Sequence, residues 1–97
     1  MVTLPPVLTH AATPGFVQGL KQLVLAEPAE VVADASALLE FDSSALAALL
    51  ECRREALAAG KAFSVRGLPA RLRQLAGLYG VAELIPATSA AVLAVTT

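Results

Sequence analysis

The stretch Phe41-Asp42-Ser43-Ser44-Ala45-Leu46-Ala47-Ala48-Leu49-Leu50-Glu51-Cys52-Arg53-Arg54-Glu55-Ala56-Leu57-Ala58-Ala59-Gly60 carries both ends of one helix. Asp and Ser oxygens satisfy the free N–H groups of a first helical turn. The run that follows is almost entirely strong helix formers. Gly60 then suits the left-handed position past a helix end. On a helical wheel Leu46, Leu49, Leu50, Cys52, Ala56 and Leu57 form one apolar stripe, with Arg53 projecting from its edge. Ser44, Ala47, Ala48, Glu51, Glu55 and Ala58 form the opposite face.

Short apolar runs lie on either side of this helix. Upstream, Glu30 to Ala35 contains Val31-Val32-Ala33 and ends near Asp34, the pattern of a central parallel strand. Before it, Thr13-Pro14-Gly15 opens a helix with Thr13 as cap and Pro14 at the first position. Phe16, Val17, Leu20, Leu23 and Val24 recur along it at helical spacing, and Pro28 ends it. Val2 to Thr9 reads as a strand interrupted by Pro5-Pro6, which places it at a sheet edge or a strand start. Downstream, Lys61 to Arg66 is a strand with Phe63 and Val65 on one face. Gly67-Leu68-Pro69 turns into a helix whose buried stripe is Leu68, Leu72, Leu75, Ala76 and Tyr79, ending at Gly80. Val81 to Ile85 forms a short element before Pro86. The order β-α-β-α-β-α with short connections predicts an α/β fold, a mostly parallel sheet backed by helices.

A chain of 97 residues makes one domain, expected over residues 1–97, and 57% hydrophobic residues with a mean hydropathy of +0.70 supply its core amply. The small apolar tail, residues 87–97, fits a last strand, a partner-bound segment or a disordered end. Seven basic and eight acidic residues give a net charge of −1, which points neither to nucleic acid nor to an anionic membrane surface. Arg66, Arg71 and Arg73 have no interleaved aromatics and read as a solvated face. A single cysteine rules out an intrachain disulfide and suits a reducing cytosol. The sequence has neither a signal-peptide pattern nor an uncharged apolar run long enough to span a membrane.

The equipment of catalysis is missing. Neither GxGxxG nor GxxxxGK[ST] occurs. His10 is the one histidine and reads as an exposed loop residue, and Cys52 falls in an apolar pattern as a buried thiol. Those two alone cannot assemble a tetrahedral metal site. Ser43 and Ser44 lack nucleophile-elbow glycines, and the carboxylates are scattered. No catalytic residue, cofactor or metal is therefore expected.

Asp42-Ser43-Ser44 admits two readings. It caps the helix, which by itself explains the residue types and which residue physics alone favours. It also suits a docking or phosphorylation site, since a phosphate on Ser43 would lie at a helix N-terminus and add about two negative charges beside Asp42. Behind it, Ser44, Ala47, Ala48 and Glu51 present a smooth, nearly uncharged strip that another helix can approach. High alanine helix propensity explains the same strip equally well.

From about Val31 to Pro86, a little over half of the chain, the sequence resembles the STAS domain family. The matching text is Val32-Ala33-Asp34-Ala35-Ser36, Phe41-Asp42-Ser43-Ser44-Ala45-Leu46, Gly60-Lys61, Val65-Arg66-Gly67-Leu68 and Leu75-Ala76-Gly77-Leu78-Tyr79-Gly80-Val81. The last of these, with Leu84-Ile85-Pro86, looks most like the cytoplasmic STAS subunit of the Mla phospholipid-transport ABC complex. The resemblance implies a sheet backed by helices and a partner-binding role centred on Asp42, Ser43 and Ser44, with Ala47, Ala48 and Glu51 adjoining. In the anti-sigma factor antagonist branch, the Ser after the Asp, here Ser43, is the phosphorylation target. In the Mla-like branch the same region contacts the ATPase.

Two departures from the pattern stand out. Ala45 occupies a position where the family often has Gly, and Leu8-Thr9-His10 replaces the usual Glu-Leu-Asp, with the first hairpin shortened. These favour a non-catalytic accessory subunit on the ABC transporter ATPase, cytoplasmic and peripheral to the inner membrane through that complex. The alternative is an anti-sigma factor antagonist acted on by a serine kinase. A small enzyme or nucleotide-binding protein is a third class, for which no specific phosphate site is present.

Overall fold

Valine-rich runs on either side of the long helix pair as parallel strands, leaving the apolar side chains on alternate positions to meet the helices. The computed structural model describes residues 1–88. Strands β1 (Val2–Thr3), β3 (Val31–Asp34) and β5 (Phe63–Arg66) form a parallel sheet in the order β1-β3-β5. Strands β2 (Val7–Leu8) and β4 (Glu40–Phe41) form a second, two-stranded parallel ribbon. The helices are α1 (Thr13–Gln18), α2 (Leu20–Leu25), α3 (Ser44–Ala58) and α4 (Ala70–Leu78), followed by a single 3-10 turn over Ala82–Leu84.

The central position of β3 and the edge position of β1 agree with the sequence pattern. In register, Val31 faces Phe63 and Ala33 faces Val65, and all four are buried. Val32, Asp34 and Ser64 on the opposite face are half-buried. Beyond β5, Val65 donates its N–H to Pro86 O (2.8 Å) and accepts from Thr88 N–H (3.1 Å). The expected single domain over 1–97 and the nature of its tail depend on residues 89–97, which lie outside the described residues.

Helix α3 packs on α1 and α2 as well as on β2, β3 and β5. Its buried arc is therefore wider than the single stripe drawn from leucine spacing. Ala45, Leu46, Ala48, Leu49, Cys52 and Ala56 are all buried. Burial of alanines lets neighbouring helices approach closely, since interaxial distance follows side-chain size. Ala48, expected on the outer face, is 0% exposed: α3 packs on helices as well as on strands, so more of its circumference is covered than a single stripe. Leu57, expected in the stripe, is half exposed near the helix end.

Three further expectations are corrected. Thr13 does not cap: the helix begins at Thr13, whose hydroxyl donates backward to Thr9 O at 2.9 Å. The helix expected up to Pro28 is broken at Gly19 into α1 and α2 and ends at Leu25. Tyr79 is 59% exposed, because α4 ends before it and only Leu72 and Ala76 of that helix are fully buried.

The turns are fixed by specific contacts. Lys61 Nζ donates to Val24 O (2.9 Å), Leu25 O (3.3 Å) and Glu27 O. A cation thus satisfies the orphan carbonyls at the end of α2 from the turn that follows α3. Ser36 donates its N–H (3.0 Å) and its hydroxyl (2.6 Å) to Asp34 Oδ1. Those two bonds, the hydroxyl first, and then the neighbouring Arg66 charge, hold the Asp34 carboxyl below its usual range.

Gly67 closes over this turn at φ +68°, and a Cβ there would lie 2.8 Å from Ser36 Cβ and 3.1 Å from its Cα. Gly60 has a similar φ of +72° but open space around it. Gly67→Ala is expected to lower stability by about 2–3 kcal/mol and Gly60→Ala by about 1 kcal/mol. Urea denaturation of the two variants measures the difference, which reports the Ser36 contact alone.

Candidate functional site

The junction between β4 and α3 is held by one carboxylate. Asp42 Oδ1 accepts the Ser44 N–H at 2.8 Å, and Oδ2 accepts the His10 N–H at 3.0 Å. The Asp42 carbonyl accepts from Ala45 N–H at 3.0 Å, so the first turn is tight. Asp42 is therefore the residue that caps the helix, with Ser43 already helical at φ −61°, ψ −16°. The Ser44 N–H, followed by that of His10, holds the Asp42 carboxyl below the usual carboxylate range.

The bond from His10 uses its backbone. The β2–α1 turn is thus anchored to the start of α3 whatever side chain stands at position 10. The departure at Leu8-Thr9-His10 removes acidic charge from this turn, while the main-chain anchor remains.

Of the six residues singled out in the sequence, five reach the outside. Asp42, Ser43 and Ala47 are exposed, and Ser44 and Glu51 are half-buried. Ala48 is not part of this surface. Ala45 is buried, so its methyl group lies in the core and leaves the outer face of the first turn unobstructed. Glu51 is paired along the helix with Arg54, whose Nε lies 3.1 Å from Oε1, and this pair keeps the Glu51 carboxyl low. The strip behind Ser43 is therefore alanine followed by a neutralised ion pair.

Two residues at this pole escaped the sequence reading. Val7 and Leu39 are exposed on the β2–β4 ribbon, next to the junction. The available signal was the doublet Leu38-Leu39 before a strand: with a period of two, only one of them can face the core. Leu38 is the buried one.

Nothing at the junction resembles catalytic machinery. Cys52 is buried, and its thiol is pushed up to about 11 by burial and then by the Glu27 charge. Among the described residues no group of three or more His, Cys, Asp or Glu side chains could hold a metal ion. A cleft of about 410 Å³ between β5, α4 and the segment Ala82 to Thr88 lies elsewhere and shares no lining residue with Asp42 to Glu51. No helix of the described residues is long and apolar enough to cross a membrane.

A family model described as "Mlab, STAS domain" matches residues 1–86. The chain belongs to the STAS domain family. The match extends the likeness from the segment 31–86 back through the shortened N-terminal strands. None of the curated proteins matches the chain. Membership makes this STAS domain a protein-interaction module in general character, of a family that is generally non-enzymatic.

Removing the Asp42 carboxylate frees two N–H groups at once. Asp42→Ala is expected to lower the melting temperature by a few degrees, with Asp42→Asn intermediate because one amide oxygen can still accept. The folded-state pKa of Asp42 is depressed, so its contribution is fully present above the unfolded-chain value of about 3.9 and fades as pH falls through the lower folded value. The stability gap between wild type and Asp42→Ala should accordingly be constant from about pH 5 to 7 and narrow as pH falls below about 4 in denaturant titrations.

Proposed function

We propose that this STAS domain is a non-catalytic accessory subunit that docks on the ATPase of a phospholipid-transport ABC complex of the Mla type. The observation that carries the reading is the presentation of Ser43. Its side chain is exposed at a helix start that Asp42 holds rigidly in place. Beside it, Ser44, exposed Ala47 and the neutralised Glu51 continue the surface. Rigid small-residue surfaces suit docking because little conformational entropy is lost on binding. The family description and the Leu78-Tyr79-Gly80-Val81 ending support the choice of the Mla branch. Such a subunit would lie on the cytoplasmic side of the inner membrane, held there by the transporter.

One observation favours a second reading. The exposed Ser43 hydroxyl is open to a kinase, as an anti-sigma factor antagonist requires. Incubation with serine kinases encoded near this gene and ATP, read by intact mass, tests it. A phosphate on Ser43 would support the antagonist, and an unchanged mass would count against it.

Co-expression with the ABC ATPase of the same organism's phospholipid-transport complex tests the first reading. The two proteins are expected to co-purify, and Ser43→Arg is expected to break the complex by placing a long charged side chain at its centre, with the melting temperature of the free subunit unchanged. A complex that survives Ser43→Arg would show that the interface lies elsewhere.

A further inference from the structure

The β2–β4 ribbon leads directly into the junction. Leu39 N–H and Glu40 N–H both donate to Pro6 O, at 2.8 and 2.9 Å. Val7 then faces Glu40, Leu8 faces Phe41, and the His10 N–H reaches Asp42. These contacts lay Pro6 to His10 alongside Leu39 to Ser43 as one continuous ridge. Its inner side is the core: Leu8 and Leu38 are buried. Its outer side carries exposed Pro6, Val7 and Leu39, the last 82% exposed. A single exposed leucine is ordinary, but a leucine, a valine and a proline brought together on hydrogen-bonded backbone form a fixed apolar surface.

The charged side chains of the ridge itself, Glu40 and Asp42, are both exposed and have one sign. The chain has no Lys or Arg before Lys21 or between Lys21 and Arg53. An anionic membrane surface or a nucleic acid would be repelled by these two carboxylates. A second copy joined through a two-fold axis would bring the same carboxylates together. The complement is an apolar hollow with cations at its rim.

We infer that the Pro6–Val7 and Leu39–Glu40 ridge is the apolar half of the docking site, seating Leu39 in an apolar pocket of a protein partner whose rim carries Lys or Arg side chains opposite Glu40 and Asp42. This inference rests on the docking reading above, with the ABC ATPase as that partner. Leu39 supplies the buried anchor, and the carboxylates set orientation and encounter rate.

The test is the affinity of the full chain for the purified ATPase, measured by calorimetry with four variants. Leu39→Ser is expected to weaken binding by about tenfold or more. Glu40→Lys is expected to weaken it several-fold, and wild-type affinity should fall as NaCl is raised. Leu78→Ser changes an equally exposed leucine (81%) at the end of α4 and is expected to leave binding unchanged. Melting curves confirm that each variant is folded, which the exposure of all four positions favours. If wild type binds, Ser43→Arg abolishes binding and Leu39→Ser binds as wild type does, the ridge proposal fails and the docking reading stands. Absence of wild-type binding overturns both. Concentration-dependent dimerisation of the chain in sedimentation, lost in Leu39→Ser, would make a second copy the occupant and overturn the proposal as well.

Discussion

Asp42 accepts hydrogen bonds from two backbone segments that are far apart in sequence, Ser44 at the start of α3 and His10 in the β2–α1 turn. Both carboxylate oxygens are committed, one to each segment. A helix start is ordinarily a place where the chain frays, because its first N–H groups lack intrahelical partners. Here the same side chain that satisfies one of those groups also ties down the neighbouring turn. The β2–β4 ribbon, the entry to α1 and the first turn of α3 thus become one unit. The exposed groups on that unit keep fixed relative positions without needing to be buried themselves.

The other constraint is the two-sided burial of α3. A helix that packs on a sheet alone shows solvent about half of its circumference, whereas α3 also carries α1 and α2 on its flank. Buried Ala45, Ala48 and Ala56 suit this arrangement, since a larger side chain at any of them would overpack the layer around α3. The surface that the proposed docking would use is consequently narrow along α3 itself. It passes from Ala47 and the Glu51–Arg54 pair to Ser43, and then sideways onto the ribbon rather than around the helix to Ala48. Lys61 closes the far end of the same assembly by holding the last carbonyls of α2 against the turn after α3. The two ends of the helical layer are therefore pinned by opposite charges, each at the helix end whose dipole it complements.

Long and strongly patterned elements were legible in the sequence for physical reasons. The stretch Val31-Val32-Ala33 reads as a central strand because continuous apolar residues suit a strand paired on both edges, and β3 is that strand although its second face is only half-buried. The end of α3 reads from Gly60, which adopts the left-handed conformation observed. The misreadings have equally definite causes. Strands β2 and β4 contain two residues each, too few to show a period, and they are specified by Pro6 O meeting two N–H groups from a distant segment. Alanine has a high helix propensity and little preference for either side, so the wheel could not tell that Ala48 is buried while Ala47 is exposed. Thr13 looked like a cap because Thr before Pro commonly is one, but its hydroxyl found Thr9 O instead. The candidate site was legible as residue types at Asp42 and Ser43. Its apolar half was not, because Val7 and Leu39 become neighbours only through tertiary pairing.

The geometry also restricts how a phosphate on Ser43 would act. Helix N-termini attract anions through their free N–H groups. At this one the Ser44 N–H is already taken by Asp42 Oδ1, and the Asp42 charge already offsets the local dipole. A phosphoserine at 43 would therefore gain little from the helix it begins. It would meet Asp42 next to it and Glu40 along the ribbon, both negative. Its effect would fall on the outside, adding charge and bulk to the centre of the proposed docking surface rather than ordering the chain beneath it. If the partner's rim is basic, as the acidic ridge implies, added negative charge strengthens long-range attraction while the extra volume opposes close fit at Ser43. Steric exclusion at the centre would have to outweigh that attraction for modification to release the partner, and the rigidity imposed by Asp42 favours that outcome because the helix start cannot shift aside to make room.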